Sequence, residues 1–198
     1  MKRFFILISI LFFVFFFFFF GKSVVVMDMD SGRVLYESKS DKKSLIASIT
    51  KVMTCIIVLE KGNLDDVITV GDEVLPMYGT NIYLEVGESI SIRDLLYGLM
   101  LRSGNDSAVV LAKYISGSEE KFVKVMNSYA TRLGMVNTTF SNAHGLDDTT
   151  KNYSTAYDMS LLMRYAFLNE EFREIISTSK YKCKSSVKSY LWYNRVSI

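Results

Sequence analysis

Only one convincing β-hairpin can be read in this chain, and it stands ahead of a long run of helical patterns. Ser23 to Met29 is apolar and β-branched, Asp30-Ser31-Gly32 supplies a turn, and Arg33 to Ser38 resumes with Val34, Leu35 and Tyr36. A two-stranded hairpin is marginal alone and needs helices or further strands to cover it. The helical patterns follow at once. Ala47 to Glu60 is apolar on more than one face and stops at Gly62, the pattern of a buried helix. Ser91-Ile92-Arg93-Asp94 opens a second helix through Leu95, Leu96, Leu99 and Met100, halted by Ser103-Gly104. Asn105-Asp106-Ser107 is expected to cap another through Val109, Val110, Leu111 and Tyr114. Glu119 to Leu133, ended by Gly134, and Tyr157 to Phe167 read as two more. Val67 to Val70 is β-like, and Lys180 to Lys188 reads as the start of a strand or a loop. The fold class expected is α+β.

Composition removes several functions. Of 198 residues, 23 are Lys or Arg and 21 are Asp or Glu, for a formal charge of +2. That balance argues against a nucleic-acid partner, which calls for a strong basic excess. With 49% hydrophobic and 22% charged residues, the chain is not a disordered one. Cys55 and Cys183 have no metal-ligand spacing and are too few for a disulfide scaffold; whether they pair is open. A lone histidine, His144, leaves no His-based metal site, so neither a metal nor a cofactor is expected. At the N-terminus, Met1-Lys2-Arg3 precedes Phe4 to Phe20, seventeen residues of which only Ser9 is polar. Residues 1–22 therefore read as a signal peptide or a membrane anchor, which places residues 23–198 outside the cytoplasm.

Two short patterns carry chemistry. Ser48-x-x-Lys51 opens a helix, and three residues apart is one turn, so both side chains emerge on one face. A serine hydroxyl becomes a nucleophile when a neighbour takes its proton. A lysine can do so if apolar neighbours (Ile49, Val52, Met53) and a helix N-terminus hold it neutral. Alone, this spacing equally describes a helix cap and a surface lysine. Ser103-Gly104-Asn105 lies at a break between helices, where both polar side chains can face a cleft, though the triplet also serves as a helix stop and cap.

The longer strings settle between these readings. Ala47 to Thr54 (ASITKVMT) resembles the nucleophile segment of the serine D-alanyl-D-alanine carboxypeptidases, the low-molecular-mass penicillin-binding proteins of peptidase family S11. Asp94 to Ala108 (DLLYGLMLRSGNDSA) resembles that family's second segment. Thr139 to Asp147 (TFSNAHGLD) and Tyr153 to Met159 (YSTAYDM) are similar to the stretches that follow. The resemblance implies a serine β-lactamase/DD-peptidase-like fold, a helical body against an antiparallel sheet. It implies that Ser48 attacks a D-Ala-D-Ala bond in a peptidoglycan stem peptide, with Lys51 as general base, Ser103 as proton relay and Asn105 positioning substrate and Lys51. The backbone N–H of Ser48 would be an oxyanion donor, His144 would belong to a structural loop, and β-lactams would acylate Ser48. The setting implied is the cell envelope, with membrane attachment through the N-terminal segment if it is uncleaved.

The chain also departs from that pattern. Leu45 stands where proline is usual, and Asn152 stands where histidine often precedes Tyr-Ser-Thr-Ala, a change expected to matter little. No Lys-Thr-Gly or Lys-Ser-Gly occurs, which points to a catalytic domain cut short of its last strands and to impaired activity. Two alternatives stand beside the carboxypeptidase. A class A β-lactamase would carry Ser-Asp-Asn and Glu-x-x-Leu-Asn; here Ser103-Gly104-Asn105 stands instead, and no glutamate has asparagine four residues on. A non-catalytic, membrane-associated remnant or wall-peptide binder would take up no β-lactam.

Overall fold

The computed structural model describes residues 22–194; the apolar N-terminal segment lies outside the described residues, save for Lys22. Element order is β1 (Val24–Met27), β2 (Val34–Ser38), β3 (Ser44–Leu45), a 3-10 turn (Ala47–Thr50), α1 (Lys51–Lys61), β4 (Val67–Thr69), β5 (Ser89–Ser91), α2 (Ile92–Arg102), α3 (Asn105–Ser116), α4 (Glu119–Arg132), β6 (Tyr153–Ser154), α5 (Ala156–Ala166), α6 (Glu170–Ser177), β7 (Lys180–Lys184) and β8 (Ser189–Tyr193). A second short 3-10 turn spans Asp72–Val74. The fold is α+β, as expected.

Helix α1 is the centre. Met53, Cys55, Ile56, Ile57 and Val58 are fully buried, so this helix is apolar all round and the others pack about it. Each such Ile or Val removed from water contributes about 1.5–3 kcal/mol before the entropy of ordering it. The surrounding helices carry their own starts. Ser91 Oγ accepts the Asp94 N–H at 3.0 Å at α2, Thr155 Oγ1 accepts the Asp158 N–H at 3.1 Å at α5, and Asn169 Oδ1 accepts the Phe172 N–H at 3.0 Å at α6.

The strands form four separate antiparallel pairs, β1–β2, β3–β6, β4–β5 and β7–β8. In the first hairpin, Asp28 Oδ1 accepts the Ser31 N–H at 2.9 Å, and Gly32 takes φ +73° at the turn. What covers the hairpin is α5: Arg164 donates from Nε to the Met29 carbonyl and from Nη2 to the Asp30 carbonyl, each at 2.7 Å. Val26, Leu35 and Tyr36 on the hairpin are exposed. The second hairpin, β7–β8, is half core. Tyr190 and Trp192 are buried while Lys180, Lys182 and Lys184 point outward, and Tyr181 stacks on Tyr97 with centroids 3.6 Å apart. Cys55 and Cys183 are both free thiols.

Two sequence expectations need amending. Asn105 does not cap α3: Gly104 holds the cap position, and Asn105 is the first helical residue with its side chain engaged elsewhere. Helix α6 was not anticipated. It is short, and only Phe172 and Ile175 mark its buried stripe.

Candidate active site

Ser48 lies in the 3-10 turn and Lys51 is the first residue of α1, so the pair spans the junction of two helix types. In a 3-10 turn, side chains at i and i+3 eclipse, which brings hydroxyl and amine together. Ser48 is exposed at the surface, whereas Lys51 beneath it retains only 2% of its accessible surface. Lys51 Nζ lies 3.3 Å from Ser48 Oγ, 2.8 Å from Asn105 Oδ1 and 2.5 Å from the His144 carbonyl oxygen.

These three neighbours fix the amine's geometry. As an ammonium it can donate to all three. As a neutral amine it has two N–H bonds and one lone pair. Asn105 Oδ1 and the His144 carbonyl can only accept, so they take the two N–H bonds. The lone pair is left facing Ser48 Oγ, the one neighbour that can donate a proton. Burial drives the amine toward that neutral form, pulling its pKa down to about 8 against the upward pull of the Asp106 charge. Of the apolar neighbours expected to dry it, Val52 and Met53 are buried but Ile49 is more than half exposed. Closer cover comes from Asn105 and the loop at His144.

Each partner is held in turn. Asn105 donates from Nδ2 to the Tyr78 carbonyl at 2.7 Å, and its backbone N–H donates to the Thr80 carbonyl at 2.8 Å. The next residue, Asp106, accepts the backbone N–H of Ile82 at 3.1 Å and of Leu84 at 3.0 Å. Tyr83 between them is thereby turned outward at φ +64°, three-quarters exposed. Ser103 ends α2 at φ +58° and is half-buried beside this junction; among the described residues no hydrogen bond joins its hydroxyl to Ser48 or Lys51.

The loop behind Lys51 is tied down more heavily still. Asn142 Oδ1 accepts the N–H of Gly145 at 2.6 Å and of His144 at 3.2 Å, and Thr54 Oγ1 donates to the Ala143 carbonyl at 2.7 Å. Gly145, at φ +87°, is pressed so closely on the Ala47–Ser48 segment that a Cβ would sit 2.0 Å from the Ala47 carbonyl oxygen. Ala47 itself is held at φ +44°. The His144 imidazole is held neutral in the loop: Nδ1 accepts the Leu146 N–H at 3.0 Å, and burial, with the nearby Lys51 charge, pushes its pKa down to about 4. Its position in a structural loop is as expected.

Asn152 is the residue that sequence reasoning undervalued. Fully buried, it accepts the N–H groups of Ser141 (2.6 Å) and Asn142 (3.1 Å) and donates from Nδ2 to Thr50 Oγ1 (2.8 Å) and the Asn142 carbonyl (3.0 Å). It thus bolts the 141–145 loop to the turn that carries Ser48. An amide can accept and donate at once, which is what this position requires. No single-residue signal in the sequence marks that role. Among the described residues no cluster of His, Cys, Asp and Glu suits a metal ion.

Comparison with known proteins follows the same lines. The family model described as D-alanyl-D-alanine carboxypeptidase, peptidase S11, matches residues 20–198. The D-alanyl-D-alanine carboxypeptidase DacF of Bacillus subtilis is 35% identical over 176 residues, covering 86% of this chain and 45% of that protein. DacC of Escherichia coli is 41% identical over 149 residues, 70% of this chain and 37% of that protein. Among solved structures, a D-alanyl-D-alanine carboxypeptidase from Mycobacterium tuberculosis superposes with a TM-score of 0.83 at 28% identity, covering 88% of this chain and 66% of that one. The chain spans less than half the length of the two curated relatives. Across nearly all the residues described, sequence and architecture agree, and the chain belongs to the D-alanyl-D-alanine carboxypeptidase family S11.

Proposed function

We propose that this chain carries the acylating half-site of a serine-type D-Ala-D-Ala carboxypeptidase acting on peptidoglycan stem peptides. The observation that supports it most is the arrangement around Lys51 Nζ, whose two acceptor-only neighbours leave its lone pair to Ser48 Oγ. The Ser48 oxygen bonds to the carbonyl carbon of the penultimate D-alanine as its proton passes to the Lys51 amine. The backbone N–H of Ser48 donates to the developing oxyanion. Collapse breaks the C–N bond, and terminal D-alanine leaves with the proton returned by the lysine, leaving an ester on Ser48. Water then hydrolyses that ester, giving the shortened peptide and free Ser48. Ser103 relays protons between the amine and the leaving group, and Asn105 holds Lys51 and a substrate amide.

The same chemistry makes β-lactams covalent inhibitors, because their strained amide acylates Ser48. The reaction takes place on the outer face of the cytoplasmic membrane, the N-terminal apolar segment serving as signal or anchor; neither nucleic acid nor a cofactor takes part. The domain limits proposed are 1–22 as signal peptide or membrane anchor and 23–198 as an incomplete DD-peptidase catalytic domain. Fluorescent penicillin labelling is the test. Wild type is expected to take up label, slowly for want of a Lys-Thr-Gly segment, and Ser48→Ala to take up none. Equal signal in both chains, or none in either, would defeat the assignment and favour a non-catalytic wall-peptide binder. Release of D-alanine from a peptide ending in D-Ala-D-Ala, against turnover of the β-lactam itself, separates the carboxypeptidase from a β-lactamase.

A further inference from the structure

Helix α4 begins with two glutamates, and only one of them behaves as a helix-start residue should. Glu120 is exposed to water near the positive helix end, a sufficient role for an acid in a first turn. Glu119 instead turns inward, leaving a third of its side chain exposed. Its Oε1 accepts the Ala143 N–H at 2.9 Å and faces His144 Nε2 at 3.5 Å. Because His144 Nδ1 is occupied as an acceptor, the neutral ring carries its proton on Nε2, on the side where Glu119 lies. One carboxylate oxygen therefore holds the backbone immediately before His144 and lies beside the His144 ring.

The carbonyl of this same residue is one of the two acceptors that orient Lys51. We propose that Glu119 is a positioning residue: acting through Ala143 and His144, it holds the His144 carbonyl against the Lys51 amine and so aims the amine's lone pair at Ser48. The proposal deepens the reaction above and rests on it for its consequence, though not for its geometry. The groups facing this chain of contacts are few. Asp106 on α3 and His144 on the loop face Lys51, while His144 and the exposed Asp148 share with Glu119 a cavity of about 320 Å³. That cavity opens beside His144 and Tyr78, the two residues whose carbonyls receive Lys51 and Asn105. Releasing the His144 segment would let water from this space reach the amine.

The test reads Lys51 directly. Competitive acetylation of the full chain across a pH series, with Lys51 followed by mass spectrometry, gives its titration independently of any reaction at Ser48. Wild type is expected to titrate near pH 8. Glu119→Ala, and Glu119→Asp whose shorter arm cannot reach Ala143, are expected to move Lys51 upward by about one pH unit as water relieves its burial. Glu119→Gln keeps the accepting oxygen and is expected to stay with wild type. Penicillin labelling run alongside should fall about tenfold at pH 7 in the Ala and Asp variants and recover near pH 10. Should the Asp variant titrate Lys51 as wild type does, or the Gln variant shift as far as Ala, Glu119 has no such role. A wild-type Lys51 titrating as an ordinary lysine overturns the proposal too. Absence of penicillin label on wild type counts instead against the acylation reaction, and the titration still decides Glu119.

Discussion

A β-carbon on residue 145 would lie 2.0 Å from the oxygen of Ala47 and 2.9 Å from the nitrogen of Ser48, and the backbone there already sits at φ +87°. Neither neighbour can retreat, because both are main-chain atoms of the segment that carries Ser48. Overpacking of this kind costs about 1–3 kcal/mol, with backbone strain added. Gly145→Ala is therefore expected to lower the unfolding free energy by about 3 kcal/mol and to cut penicillin acylation at least a hundredfold, read by chemical denaturation and by labelling rate. Ala47→Gly is the opposite exchange. It removes a methyl at φ +44° and is expected to leave stability unchanged within about 1 kcal/mol. Among single residues, the grouping of Ser48, Lys51 and Asn105 was legible from spacing and resemblance. Asn152, Glu119 and Gly145 were not, because their partners lie 10 to 102 residues away and no local pattern encodes such a bond.

At the scale of elements, caps and stops were the readable part. Ser91 before α2, Gly62 after α1 and the Asp30-Ser31-Gly32 turn stand where local chemistry demands them. Helix α6 escaped notice because eight residues with two buried side chains give too short a period to recognise. What covers the first hairpin was equally hidden. Arg164 projects from α5 and clasps two carbonyls of the β1–β2 turn through its guanidinium, a long-range contact with an arginine that local sequence marks only as polar. Arg164→Ala is expected to loosen the hairpin alone. Hydrogen exchange at the amides of Val24 to Met27 should quicken about tenfold, consistent with loss of about 1–2 kcal/mol of local stability, while α1 amides keep their protection.

Across the whole molecule, a buried amine is a standing cost. The Lys51 pKa is depressed in the folded chain to about 8 from an ordinary 10.5, so below pH 8 the folded state must either carry a dried charge or give up its proton. The penalty of about 3 kcal/mol is fully present below pH 8 and disappears as pH rises through 10.5. Wild type should therefore gain about 3 kcal/mol relative to Lys51→Met between pH 7.5 and 11, measured by urea unfolding of both proteins; a constant difference over that range would contradict the burial argument.

Tyr78 and His144 offer the amine and its asparagine nothing but main-chain oxygens, which any residue type could supply. This cluster is consequently poorly portable. Transplanting Ser48, Lys51 and Asn105 onto two helices of another scaffold would copy every side chain involved and still leave the lysine unaimed, since the two loops that steer it travel only with their own anchors.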